Sequence, residues 1–440
     1  MACATSEARQ NRQHRWQSSA ASSFGRKPLK YHLLTAACLA AFSPAAALAQ
    51  ITGHVHTPLC NHQWTDNQGT LSFATPLAPR LQSQTQATGM TFVLNDLGGV
   101  GVGTQARAGF EAAAALWSAV LNDPITIVLD VQFSALGAGI LGSTGSTTNT
   151  VGYSIVRGQL LADATSAADA SAVASLQAGP LSFVSNEPPV SGPIDSRLRF
   201  LDNNNSFDNN NIAVNTAQVK ALGLTPTYAA SNTTQRDGAV SFSTAFNWDF
   251  DRTDGLTPGF FDFVGVAAHE IGHALGFRSG VDLADNNALP GAGGTAGVRG
   301  LNNIGWGTIN DLYRYGSFEG LQTLDWSIGG TPCLSINAGA SCVGRLSTGR
   351  TNGDGRQASH WKDDALIGGA PLGIMDPTVA SASSNTPTLV ITELDITAFD
   401  VMGYNVAVVP EPSTWLLMFA GVGAIGAVAR RRRVTEGTAA

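Results

Sequence analysis

The sequence predicts an α+β domain of two lobes, with a mixed sheet and a buried helix that carries the site, over residues 85–408. Three features predict it. Residues 109–120 have helical apolar spacing and lead straight into an apolar strand at 125–133; residues 240–246 alternate like a second strand. A strongly apolar run, 260–276, then holds two histidines four residues apart. Alternation of helical and strand periods within one stretch is the mark of a mixed domain rather than a bundle or a sandwich.

Along the chain, Arg26, Lys27 and Lys30 precede the apolar run 33–47, which closes on Ala47-Leu48-Ala49. A basic region, a short apolar core and a small-x-small close are what a signal peptidase reads, so residues 1–49 are expected to be removed on export. Residues 50–84 form a separate N-terminal segment, a candidate propeptide. In 109–120, Phe110, Ala113, Leu116, Trp117 and Val120 share one helical face, and Asn122-Asp123-Pro124 ends the helix. Residues 134–150 are rich in Gly, Ser and Thr; 160–178, rich in Ala and Ser, reads as a helix. The polar run 202–211 reads as a loop with oxygen ligands suited to calcium, though without EF-hand spacing.

Thr257 and Pro258 suit the N-cap and first position of the next helix, and Gly276 suits its end. Within it, His269 and His273 project from one face and can share one ion. Glu270 lies beside them as a non-ligand carboxylate, where a general base for an activated water must sit. A catalytic zinc site normally needs a third protein ligand. The short extension HExxHxxGxxH would place it at position 279, which is Ser279. Among the remaining histidines, His54, His56 and His62 are far upstream, which leaves His360 as the leading candidate, with Asp282 and Glu393 as alternatives.

His360 lies in Ser359-His360-Trp361 and is followed by Gly373-Ile-Met-Asp-Pro377 and then by 391–404. In this the chain resembles the leishmanolysin-type metzincins, in which a long insertion separates the HExxHxxG helix from the third histidine and a methionine turn follows. The resemblance covers about residues 255–405. It implies a zincin-like fold, a Zn2+ ion held by His269, His273 and His360, Glu270 as catalytic base, an apolar floor at Met375 and a closing helix at 391–404. It also gives 240–246 the role of the sheet-edge strand that pairs with an extended peptide.

The tail is a second resemblance. Pro410-Glu411-Pro412, the apolar run 415–429 and Arg430 to Arg433 stand in the order of the PEP-CTERM sorting signal. For residues 409–440 this implies a short membrane segment, an exosortase-type partner, and delivery to the surface or extracellular matrix of a Gram-negative bacterium after transient tethering at the inner membrane. The membrane is then touched only through that segment. Between residues 50 and 408 there are 15 Lys and Arg against 29 Asp and Glu, so 15 − 29 = −14, which disfavours nucleic acid as a partner. Export leaves Cys60, Cys333 and Cys342. The last two, nine apart, are expected to form a disulfide. Cys60 reads as a free or intermolecular thiol; the alternative, by resemblance to metzincin precursors, is a thiolate that blocks the metal. The expected function is thus an exported zinc endopeptidase acting on protein or peptide. The competing class is an inactive surface or matrix protein that adheres through a zincin-like domain.

Overall fold

The computed structural model of the 440-residue chain describes residues 89–190, 192–225, 236–289 and 300–406, all within one compact unit. The export signal, the 50–84 segment with Cys60, and the sorting tail lie outside the described residues.

Strand β1 (Thr91–Gly98) leads into helix α1 (Gln105–Val120), which returns the chain to β2 (Thr126–Ser134). The two strands pair in parallel, Thr91 opposite Thr126, as a helical crossover requires. Thr104 caps α1 by accepting from the Arg107 N–H at 3.1 Å. Phe110, Ala113 and Trp117 form the buried face that the spacing predicts. β3 (Gly142–Ser146), β4 (Thr148–Gly152), α2 (Tyr153–Asp163) and α3 (Ala167–Ser175) follow. The single helix expected at 160–178 is therefore two: Ser166 and Asp169 build a capping box that starts α3 afresh.

β5 (Asn211–Asn215) pairs with β4, and β6 (Gly238–Ser243) enters the first sheet, whose order is β1-β2-β6-β3. Here the expectation for 240–246 is corrected. β6 is internal, parallel to β2 on one side and antiparallel to β3 on the other. The edge beside β6 belongs to β3, which falls in the Gly-, Ser- and Thr-rich stretch. Its sequence, Gly-Ser-Thr-Gly-Ser, has no apolar alternation to read, yet its burial alternates. Thr144 and Ser146 face inward and turn their hydroxyls to the helix Phe263–Leu275, Ser146 to the His273 carbonyl and Thr144 to Glu270, instead of packing apolar groups.

The described residues form four sheets in all, the largest being six-stranded and built from short segments between Phe183 and Arg345. Phe183 stacks on Trp326 at a centroid distance of 4.0 Å beside that sheet. Cys333 is joined to Cys342 as expected, with Cα atoms 5.5 Å apart. The architecture is mixed α+β, with helix α4 (Phe263–Leu275) buried along its whole length. Helix α5 (Val281–Asn287) follows, and α6 (Glu393–Val401), capped by Thr392 and Asp395, closes the described chain.

Candidate metal centre

Helix α4 does not start at Thr257. Its N-cap is Asp262, whose carboxylate accepts from the Gly265 N–H at 3.0 Å and pairs with Arg252. Upstream, the Thr257 N–H donates to Asp249 at 2.6 Å, and Phe261–Asp262 forms a short ladder with Trp248–Asp249. That ladder holds the backbone extended up to Asp262, so helix cannot begin earlier. The far end is as expected: Gly276 takes φ 121°, and a Cβ there would collide with Gln218.

One helical turn sets His269 and His273 side by side, and the chain returns 87 residues later to add His360. The three Nε2 atoms are mutually 3.0, 3.2 and 3.3 Å apart. Each Nδ1 faces a backbone carbonyl: His269 that of Ile374 at 2.7 Å, His273 that of Phe277 at 2.8 Å, and His360 that of Gln357 at 3.1 Å. A carbonyl only accepts, so each Nδ1 carries the proton and each Nε2 presents its lone pair. Three lone pairs converging in a buried space repel one another unless a cation lies among them. A tetrahedral ion with Zn–N bonds of about 2.0–2.1 Å requires N···N separations of about 3.3–3.4 Å, close to those observed. The donor set fits zinc. Burial lowers the His269 pKa to about 4 and that of His360 well below the usual value, so both imidazoles are neutral, as ligands must be.

Glu270 is buried on the same helix, facing β3. The Thr144 hydroxyl lies 2.6 Å from Glu270 Oε2 and 3.0 Å from the Glu270 carbonyl oxygen. Gly142 is required beside it, since a Cβ there would stand 2.5 Å from Glu270 Oε1. Neither alternative ligand joins the histidine cluster. Asp282 instead accepts from the Ala358 N–H at 2.6 Å and the Ser359 N–H at 3.1 Å, and takes the Ser359 hydroxyl as well. Glu393 opens α6, and it is Asp395, two residues further on, that reaches the centre's surroundings.

Asp395 accepts from Trp361 Nε1 and from the Ile374 N–H, both at 2.8 Å. It thereby ties the residue after His360 to the residue whose carbonyl orients His269. A Cβ on Gly373 would overlap its carboxylate. Met375 packs under the helix at Gly272, where a Cβ would overlap its sulfur, and Trp117 Nε1 donates to the Ala268 carbonyl at 2.8 Å. Met375 and Trp361 are thus packing groups. Thr144, Gly142, Asp395 and Ile374 escape a reading of the sequence; only the capping-box spacing of Thr392 and Asp395 signals one of them.

A second group of ligand type, Asp363, Asp364 and Asp376, forms where the start of a short helix, Asp364–Ile367, meets the residue after Met375. Its oxygens accept from Arg356, Thr378 and backbone N–H groups, and burial pushes Asp376 up to about 8. In the 202–211 run Asn209 donates to Asp202 and the Leu181 carbonyl, and Ser206 donates to Asp208, so these side chains brace the segment.

Residues 408–433 match the PEP-CTERM protein-sorting motif. The PEP-CTERM motif implies recognition by an exosortase-type enzyme, and with it an exported protein with C-terminal sorting and membrane anchoring in a Gram-negative bacterium. It does not reach the histidines. No curated protein and no solved structure matches the chain. Among the described residues no helix is long and apolar enough to cross a membrane; the apolar run of the PEP-CTERM tail lies outside them.

Proposed function

We propose that the chain is an exported zinc-dependent endopeptidase of the metzincin type, at the cell surface or in the extracellular matrix, and that His269, His273 and His360 hold the metal. The convergence of three Nε2 lone pairs, each fixed by a carbonyl on Nδ1, carries this reading. Bound zinc would supply Lewis acidity, bringing the pKa of a water into the neutral range and polarising a carbonyl. Glu270 is the carboxylate that would accept a proton from an attacking water and give it to the departing amine. The Thr144 hydroxyl donates to Glu270 Oε2 and so fixes the carboxylate against β3. β3 ends its sheet beside Glu270, and an extended peptide adding to that edge would run past the base. This is the support for a peptide substrate.

The test is metal analysis of the purified protein together with cleavage of a peptide library. Wild type should carry one zinc and cut peptides. Glu270→Gln should keep zinc and lose at least about a hundredfold in turnover, as expected for loss of a general base. His360→Ala should lose zinc. A zinc-free, inactive wild type would instead favour the adhesive surface protein.

A further inference from the structure

Resting on the zinc reading, we infer that Asp282 and Ser359 are a positioning pair that sets the metal affinity of the centre by holding His360 in reach. His360 is far from α4 in sequence, and its own backbone bonds run elsewhere, the Ser347 N–H donating to the His360 carbonyl at 3.1 Å. Two features following α4 catch it. Ser279 donates its N–H to the Ser359 hydroxyl at 2.9 Å. Asp282, in the first turn of α5, meets three donors from consecutive residues: the Ala358 N–H, the Ser359 N–H and the Ser359 hydroxyl. Asp282 and Ser359 are both buried. Ser279 is anchored in turn, its hydroxyl donating to Asp311 at 2.6 Å.

A carboxylate with two acceptor atoms can satisfy all three donors, whereas an amide cannot, because its NH2 must face one of them. Without the clamp, His360 occupies its ligating position for only a fraction of the time, and apparent metal affinity falls by that fraction. Outer partners of metal ligands typically contribute ten- to a hundredfold in affinity.

The matched control lies on the same helix. Asp285 is equally buried and accepts from the N–H groups of Thr351 and Asn352 at 2.7 and 2.8 Å, but these lie eight or more residues before His360. Zinc dissociation constants would be measured on the whole exported protein by chelator competition, with thermal unfolding in parallel. Asp282→Asn and Ser359→Ala should each weaken zinc about ten- to a hundredfold, and the double variant should lose less than the product of the two. Asp285→Asn should lower the melting temperature while leaving zinc affinity at the wild-type value. If Asp282→Asn does not fold, Ser359→Ala, which only deletes a hydroxyl, decides. Folded variants of wild-type zinc affinity, or an equal loss in Asp285→Asn, overturn the positioning role and leave the zinc reading intact. A wild type that binds no zinc fells both.

Discussion

Ser279 stands where the short HExxHxxGxxH spacing would put a third histidine, and its N–H donates to Ser359, the neighbour of His360, at 2.9 Å. The position that lacks a histidine is thus bonded to the segment that brings in His360.

Metal removal should destabilise the fold. A cation that binds only the native state adds about 2.7 kcal/mol at a hundred times its dissociation constant. Chelation should therefore lower the melting temperature by several degrees in differential scanning calorimetry. Added zinc should restore it, but magnesium should not, because three imidazoles suit zinc and magnesium prefers oxygen ligands. Identical melting with and without chelator would refute a stabilising ion.

Thr144→Val removes the hydroxyl from Glu270 Oε2 while keeping a β-branched residue on the strand. Turnover should fall about tenfold or more with KM and zinc content little changed, since a misaligned base loses part of a contribution of about 10²–10⁴. Thr144→Ser should recover most of it. A loss confined to KM would point to substrate binding at the strand instead.

Gly272 allows Met375 and Trp117 to approach the helix between the two histidines, and a Cβ there has no room. Gly272→Ala should be destabilising by roughly 1–3 kcal/mol, the usual cost of overpacking, despite the better helix propensity of Ala. Chemical denaturation reads this directly. Met375→Leu in the same background should recover part of the loss if the sulfur is the obstacle.

Asp400 donates nothing to the centre but reports on pH. Burial, opposed by the Ser166 hydroxyl and assisted by Asp169 and Asp163, pushes its carboxyl up to about 6. Its folded value is above the ordinary 3.8, so the stability it contributes is present below about pH 4 and is lost as pH rises through about 6. Asp400→Asn imitates the protonated acid. It should melt with wild type near pH 4 and above it at pH 8, by on the order of 2–3 kcal/mol. Parallel melting curves at the two pH values would show that Asp400 does not titrate in this window.

Some of this protein is decided within a few residues of chain. The four-residue spacing of His269 and His273 puts both on one helical face, Gly276 turns the chain, and the apolar stripe of Phe110, Ala113 and Trp117 buries α1. The order of Pro410-Glu411-Pro412, apolar run and arginines likewise needs no fold to be read. These signals are local because helix periodicity, capping and linear motifs depend only on near neighbours. The start of α4 already escapes them: Thr257-Pro258 has the right chemistry, but pairing of Phe261–Asp262 with Trp248–Asp249 moves the start to Asp262. β3 escapes because its inward face is Gly, Thr and Ser, which bond to the helix rather than alternate in hydropathy. Whether Asp282, Glu393 or His360 meets the two helix histidines is decided only in three dimensions. The path of some eighty residues is set by hydrogen bonds between distant segments, from Asp282 to Ser359 and from Asp395 to Trp361 and Ile374, and no periodicity along the chain records them.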